Sequence, residues 1–127
     1  MLLVSRLKNR EGRYQAPNVL AESQLRAFAE RFGPFLEHDG RHHLWIASAS
    51  APANTLVYDQ HNVIYAYGDL DHYAEVLQQS GYRQGAVRFP VPHTHHYHAT
   101  YDADEAALLR YWAWKHSPLQ PADRPRP

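Results

Sequence analysis

The chain has no cysteine, no long apolar run and no net charge. Without cysteine it can form neither a disulfide framework nor a Cys-ligated zinc or iron–sulfur site. No stretch approaches the roughly 20 apolar residues that are needed to span a bilayer. The apolar start at Met1 breaks at Ser5-Arg6, short of a signal-peptide core. The 13 basic and 13 acidic side chains balance, which gives no basis for nucleic acid or a membrane as a partner. We therefore expect a cytoplasmic protein.

Motifs of common enzyme classes are also missing. The six glycines are scattered singly, so there is no phosphate-binding glycine-rich loop. Neither Gly-x-Ser-x-Gly nor His-Glu-x-x-His occurs. Residues 98–101 match one copy of the His-x-Thr-x motif of two-histidine phosphoesterases, but that chemistry needs two facing copies to supply an acid and a base. The sequence therefore predicts a protein without enzymatic activity.

The length of 127 residues fits one compact domain. We interpret the basic segment 1–16 as a mobile arm or as an edge hairpin that turns at Glu11-Gly12. Residues 17–116 form the predicted domain. Residues 117–127 contain four prolines and are predicted to be a wrapping or disordered tail.

Hairpins and amphipathic helices alternate along the predicted domain, which favours an α+β fold. We expect a mainly antiparallel sheet built from hairpins, with about three helices packed on it. Gly33-Pro34 is predicted to end the first helix. In chain order, the predicted elements are a helix over 21–32, hairpin strands 35–38 and 43–47 around Asp39-Gly40, hairpin strands 55–58 and 63–67, a helix that Asp69 or Asp71 caps and that ends at Ser80, a strand over 86–91, and a helix from Asp102.

The two later helices carry further signals. In the last helix, Glu105 follows Asp102 at the spacing of a capping box. The helix that ends at Ser80 is predicted to bury one apolar face, formed by Leu70, Tyr73, Ala74 and Leu77.

Four of the ten histidines are clustered in residues 93–98. In an extended chain they would alternate between two faces, two on each. A His-x-His pair can supply two imidazole nitrogens to one zinc or nickel ion, but further ligands at a recognisable spacing are missing. We expect no cofactor and a role in structure or partner contact, with metal binding as the alternative. The candidate ligands are His93, His95, His96 and His98.

Acidic residues and tyrosines are concentrated in the middle of the chain. Residues 17–123 carry 7 basic and 12 acidic side chains. Acids in the first turn of a helix complement the helix dipole, which explains several of them without a partner. Tyrosines beside fixed acids also suit the binding of a basic protein. The candidate partner-binding residues are Asp59, His61, Tyr65, Tyr67, Asp69, Asp71, His72 and Glu75.

Three features lie within residues 55–120. They are the run VYDQHNVIYAYGDL at 57–70, the helix after it with Pro-x-Pro-His at 90–93, and a closing Trp-x-Trp followed by Ser-Pro-Leu-Gln at 117–120. Together they resemble small cytoplasmic bacterial immunity proteins. This resemblance implies a protein that binds and neutralises a cognate toxin of a polymorphic or contact-dependent secretion system, and it assigns no individual residue.

The leading hypothesis is therefore a non-enzymatic, immunity-type inhibitor that occludes a toxin domain. The alternative is a small metal-binding protein or metal-dependent enzyme that uses His93–His98. A third interpretation is a homodimer that pairs through the strand edge rich in histidine and tyrosine.

Overall fold

Six short strands form one antiparallel sheet. The computed structural model describes residues 1–5, 10–88 and 97–123. The strands are β1 Leu2–Ser5, β2 Gly12–Gln15, β3 His42–Ala47, β4 Thr55–Tyr58, β5 Ile64–Tyr67 and β6 Lys115–Ser117. Across the sheet they are arranged in the order β5-β4-β3-β1-β2-β6, and every neighbouring pair is antiparallel.

The hairpin predicted around residues 59–62 is confirmed as β4 and β5. Tyr58 pairs with Ile64, and Thr55 pairs with Tyr67. Asn62 has a φ of 58°, in the left-handed region that such tight turns require. This prediction succeeded because β-branched and aromatic residues flank a polar turn, a local pattern that tertiary contacts do not override.

The first helix, α1 Glu22–His38, is longer than predicted and runs through Gly33-Pro34. A proline inside a helix costs about 3 kcal/mol. Phe35 and Leu36 follow it and are both buried in the core, and each such burial contributes roughly 1.5–3 kcal/mol. Burial therefore offsets the cost of the proline. The hairpin predicted around Asp39-Gly40 is wrong, because its first strand is the last turn of α1.

Two helices cover one face of the sheet and enclose the core. They are α1 and the last helix, α3 Asp102–Tyr111, which begins where it was predicted. Phe28 and Phe32 of α1 and Leu108 of α3 are buried against Leu3 of β1. The core is therefore built between this sheet face and the two helices.

The remaining helix, α2 Leu70–Gln79, follows β5 directly and is confirmed as predicted. The Asp69 carboxylate accepts the backbone N–H of His72 at 3.0 Å and caps the helix. Gly81, with a φ of 87°, follows its end.

The N-terminal segment lies inside the sheet rather than at its edge. β1 pairs with β2 on one side and with β3 on the other, and β2 also pairs with β6. Leu3 and Val4 are almost completely buried. The predicted hairpin is present as β1 and β2. The mobile arm and the edge position are corrected, because the apolar residues of the hairpin complete the centre of the sheet.

The C-terminal part of the chain also differs from the prediction. β6 is a strand that the sequence did not predict, whereas residues 86–88, predicted as part of a strand, are exposed and unpaired. Asp123, within the predicted tail, is buried, and its carboxylate lies 3.5 Å from Arg13 Nε. The tail is therefore packed on the sheet as far as the structure describes it. The remainder of that predicted strand and residues 124–127 lie outside the described residues.

The α+β fold class is confirmed. In the ranges that the structure describes, one antiparallel sheet carries three α-helices. No helix in these ranges is both long enough and apolar enough to cross a bilayer.

Candidate protein-binding surface

The turn between β4 and β5 is organised by Asp59. Its Oδ1 accepts the backbone N–H groups of His61 at 2.8 Å and of Val63 at 3.2 Å, and its Oδ2 lies 2.8 Å from His61 Nδ1. Burial raises the pKa of Asp59, but the His61 ring and the two N–H groups outweigh that effect, so the pKa lies below its ordinary value. Asp59 and His61 thus hold the end of the hairpin, and their role in partner binding stays a prediction.

Tyr65 and Tyr67 lie on the same face of β5, opposite the face that packs on α1. Tyr65 is directly opposite Val57, which is in turn opposite Trp45 of β3. Tyr65 and Tyr67 are 40% and 58% exposed. Burial, followed by the nearby Asp59 carboxylate, raises the pKa of Tyr65 above its ordinary value. Both rings are therefore accessible, and Tyr65 lies at the end of a cross-strand row with Val57 and Trp45.

The helix α2 has a largely uncovered apolar face in the part of the chain that the structure describes. None of its ten residues, all of which the structure describes, is buried. Leu70 and Leu77, predicted to face the core, are 60% and 50% exposed. Tyr73 is half-buried. The predicted burial of this face is therefore wrong for Leu70 and Leu77, because the described part of the chain leaves both of them exposed.

A groove separates α2 from the core. It has a volume of about 700 Å³, and its walls include Leu25 of α1, Ile46 of β3, Leu56 of β4 and Tyr73 of α2. Its mostly apolar lining is continuous with the side of α2 that carries Tyr73. The groove and the helix together give this end of the molecule a recessed apolar surface.

The acidic residues of this segment have no basic neighbours in sequence between residues 42 and 82, and Arg83 follows directly and lines a hollow with Leu77. Residues 42–82 contain no lysine or arginine and four acidic residues. Asp69 caps α2, whereas Asp71 and Glu75, together with His72, are exposed on its surface. We define the β5–α2 surface as Ile64, Tyr65, Tyr67, Leu70, Asp71, His72, Glu75, Val76 and Leu77.

The histidine cluster contributes one residue to the described structure. His98 is exposed, and its backbone N–H donates to Asp39 Oδ2 at 2.9 Å. Among the residues that the structure describes, no group of three or more histidine and carboxylate side chains is placed to hold a metal ion. The other candidate ligands, His93, His95 and His96, lie outside the described residues, so the metal hypothesis stays a prediction.

A buried ion network around Arg41 was not predicted from the sequence. Its guanidinium forms two hydrogen bonds with the Asp39 carboxylate, from Nε at 2.7 Å and from Nη2 at 2.9 Å. Nη1 contacts Asp102 at 2.9 Å and Glu105 at 3.3 Å, which explains why these two acids do not form the predicted capping box. Nη2 also donates to the backbone oxygen of His98 at 3.0 Å. The network joins the α1–β3 turn to α3.

The electrostatics of this network indicate a structural role. Burial raises the pKa of Asp39, but hydrogen bonds from Arg41 and from the His98 backbone outweigh that effect, so the pKa of Asp39 lies below its ordinary value. Burial likewise raises the pKa of Glu105, and contact with His42 and the charges of Arg41 and Arg10 outweigh it. The Arg41 guanidinium is buried and already contacts three carboxylates, so it is not available to bind an external anion.

Family models, curated proteins and solved structures were compared with the chain, and none of them matches it. The case for a function therefore depends on the geometry and charge of the β5–α2 surface.

Proposed function

We propose that this protein is a non-enzymatic binding module that acts as an immunity-type inhibitor. In this proposal it acts in the cytoplasm and covers the working surface of a cognate toxin domain through its β5–α2 surface. The observation that carries the proposal is the set of exposed apolar side chains on α2 together with the exposed tyrosines on β5, the strand that leads into this helix.

The exposed apolar residues of α2 and β5 are the first support. Single exposed apolar residues are ordinary, but contiguous groups with a polar rim mark protein interaction sites. Leu70, Val76 and Leu77 lie on one short helix and are each at least 45% exposed. Tyr65 and Tyr67 precede them, and tyrosines are frequent anchors of protein interfaces. Asp71 and Glu75 supply the polar rim.

The acidic composition of residues 42–82 is the second support. Acidic groups without basic neighbours in sequence attract a basic partner, which raises its association rate and disfavours acidic competitors. Inhibition by occlusion needs only a surface that is complementary in shape and charge to the partner, and no catalytic group.

The proposal is tested by calorimetric titration against the product of the neighbouring upstream gene. We expect binding, and we expect Tyr67→Ala to weaken it by about 30-fold or more, since hot-spot truncations cost about 2 kcal/mol or more. Tyr97→Ala is the matched control, because Tyr97 is also about half exposed but lies beside Arg41. Circular dichroism checks that both variants are folded.

A survival assay completes the test. Cells that express the upstream gene product are expected to survive with this protein and to die without it. Absence of binding, together with normal survival of cells that lack the protein, contradicts the proposal.

A further inference from the structure

Within the described residues, the outer edge of β5 carries backbone hydrogen-bonding groups that the sheet does not use. The N–H of Asp59 donates to the backbone oxygen of Val63 at 3.0 Å. Asp59 and Val63 are thus a hydrogen-bonded pair next to the opposed pair Tyr58 and Ile64. Opposed residues of an antiparallel pair alternate between hydrogen-bonded and non-hydrogen-bonded. Tyr65 and Tyr67 therefore bond to β4, and the N–H and C=O groups of Ile64 and Ala66 point away from the sheet.

The two edges of the sheet differ in their protection. At one edge, β6 contains Lys115 and is followed at once by Pro118, and lysine and proline both discourage the addition of a further strand. At the other edge, β5 has the sequence Ile-Tyr-Ala-Tyr, without charge or proline. In the described part of the chain its pairing partner is β4. An apolar edge of this kind is a template for β-strand addition.

Charge selects between two occupants of this edge. If a second copy of the chain paired through β5, two segments that contain four acids and no lysine or arginine would be brought together, and like charges disfavour that arrangement. A strand with lysine or arginine side chains instead meets acids of opposite sign. The rings of Tyr65 and Tyr67 also offer faces to which cations are attracted.

From these observations we propose that the cognate protein adds a basic strand, with lysine or arginine alternating with apolar residues, to the outer edge of β5. This inference rests on the proposed function, of which it specifies the partner and the binding mode. Main-chain hydrogen bonds to Ile64 and Ala66 hold the added strand. The tyrosines and the acids of α2 select its side chains.

A short peptide of alternating lysine and valine, with blocked ends, tests the inference on the full chain. We expect the peptide to bind and to shift the amide resonances of Ile64 and Ala66. A glutamate–valine peptide and a lysine–valine peptide N-methylated along one edge are each expected to bind about tenfold more weakly or worse. Equal affinity for all three peptides would overturn the inference.

Two substitutions at Ala66 separate edge pairing from general contact. Ala66→Pro removes an outward N–H that is not used in the β4–β5 ladder, a position where edge strands tolerate proline. Ala66→Val keeps that N–H and is the matched control. We expect only Ala66→Pro to lose about tenfold or more in affinity for the lysine–valine peptide. Because the N-methylated peptide leaves the protein unchanged, the test remains decisive if Ala66→Pro fails to fold.

The same variants separate the two proposals when the upstream gene product is the ligand. Binding that Ala66→Pro and Ala66→Val both leave unchanged overturns strand addition but leaves the proposed function in place. If the lysine–valine peptide binds in an edge-dependent way but the gene product does not bind, the proposed function is overturned and strand addition at β5 is supported. Sedimentation of the chain alone completes the test. If the chain forms a dimer and Ala66→Pro dissociates it, a second copy of the chain occupies the edge of β5. That result would overturn the proposal that the edge binds a basic strand of another protein.

Discussion

Arg41 is the basic residue with the largest set of ionic contacts among the residues that the structure describes. Its side chain is almost completely buried, and it contacts the carboxylates of Asp39, Asp102 and Glu105. Taking such charges out of water is costly, and their mutual contacts compensate only while the set is complete. The network therefore makes the packing of α3 against the α1–β3 turn sensitive to this one side chain.

Replacement of Arg41 by methionine leaves the Asp39 carboxylate buried without its main partner and removes one of the three ionic contacts that the structure describes for Glu105. We expect Arg41→Met to lower the free energy of unfolding by about 3–5 kcal/mol, measured by urea denaturation. The matched control is Arg26→Met, which removes an ion pair with Glu22 on the surface of α1 and is expected to leave stability unchanged within error. A similarly small effect at Arg41 would show that the network contributes little.

The same carboxylates give stability a defined pH dependence. The folded-state pKa values of Asp39 and Glu105 lie below their ordinary values of 3.8 and 4.5. In acid, the unfolded chain therefore binds more protons than the folded chain. We expect the contribution of these two carboxylates to stability to be complete above about pH 5 and to be lost as the pH passes below those ordinary values. Urea denaturation between neutral and acid pH should show a shallower loss for Asp39→Asn, and an equal slope would contradict the assignment.

The acids at 102 and 105 illustrate what the sequence could predict at this scale. Their spacing correctly located the start of α3, because helix starts carry local signals. Their partner, Arg41, lies about 60 residues earlier in the chain, and no local pattern encodes a contact over that separation. The predicted capping box was therefore replaced by a tertiary ion network.

At the scale of elements, the junction between β5 and α2 depends on Gly68. Its φ of 120° is disfavoured for other residues, and a Cβ atom there would meet the Asn54 side chain and the Ala53 carbonyl oxygen. Asn54 Oδ1 also accepts the N–H of Asp69 at 2.9 Å. This contact fixes the point at which α2 leaves the sheet and thus the geometry of the β5–α2 surface.

Gly68→Ala is expected to destabilise the fold by more than about 1 kcal/mol, since strained backbone and steric contact are combined. The matched control is Gly85→Ala, because a Cβ atom at Gly85 has no neighbour within 4 Å and its φ is not in the strained range. Thermal unfolding of both variants measures the difference. Equal melting temperatures would show that the junction can relax around the added methyl group.

The existence of α2 was predictable, but its environment was not. Asp69, the apolar spacing and Gly81 located the helix to within a residue, because caps and periodicity are local. The same spacing predicted a buried face, and that face is largely exposed. Periodicity indicates which residues share a side, whereas what covers that side is decided by the rest of the chain or by another molecule.

At the scale of the whole molecule, the net charge is zero although basic and acidic residues are unevenly distributed along the chain. Two basic residues near the N-terminus are used within the domain, since Arg10 lies 3.6 Å from Glu105 and Arg13 lies 3.5 Å from Asp123. Residues 42–82 keep four acids without a lysine or arginine. The sequence predicted an acidic, tyrosine-rich body, and the fold places part of it on an open edge and an uncovered helix.

Hydrogen–deuterium exchange of the full chain, with and without the upstream gene product, compares this surface with all others. We expect new protection of backbone amides in β5 and α2, residues 64–79, and unchanged exchange in β6 at the opposite edge. Protection that instead centres on β6 or α3, or a gene product that binds without protecting residues 64–79, would contradict the assignment of the β5–α2 surface as the binding site.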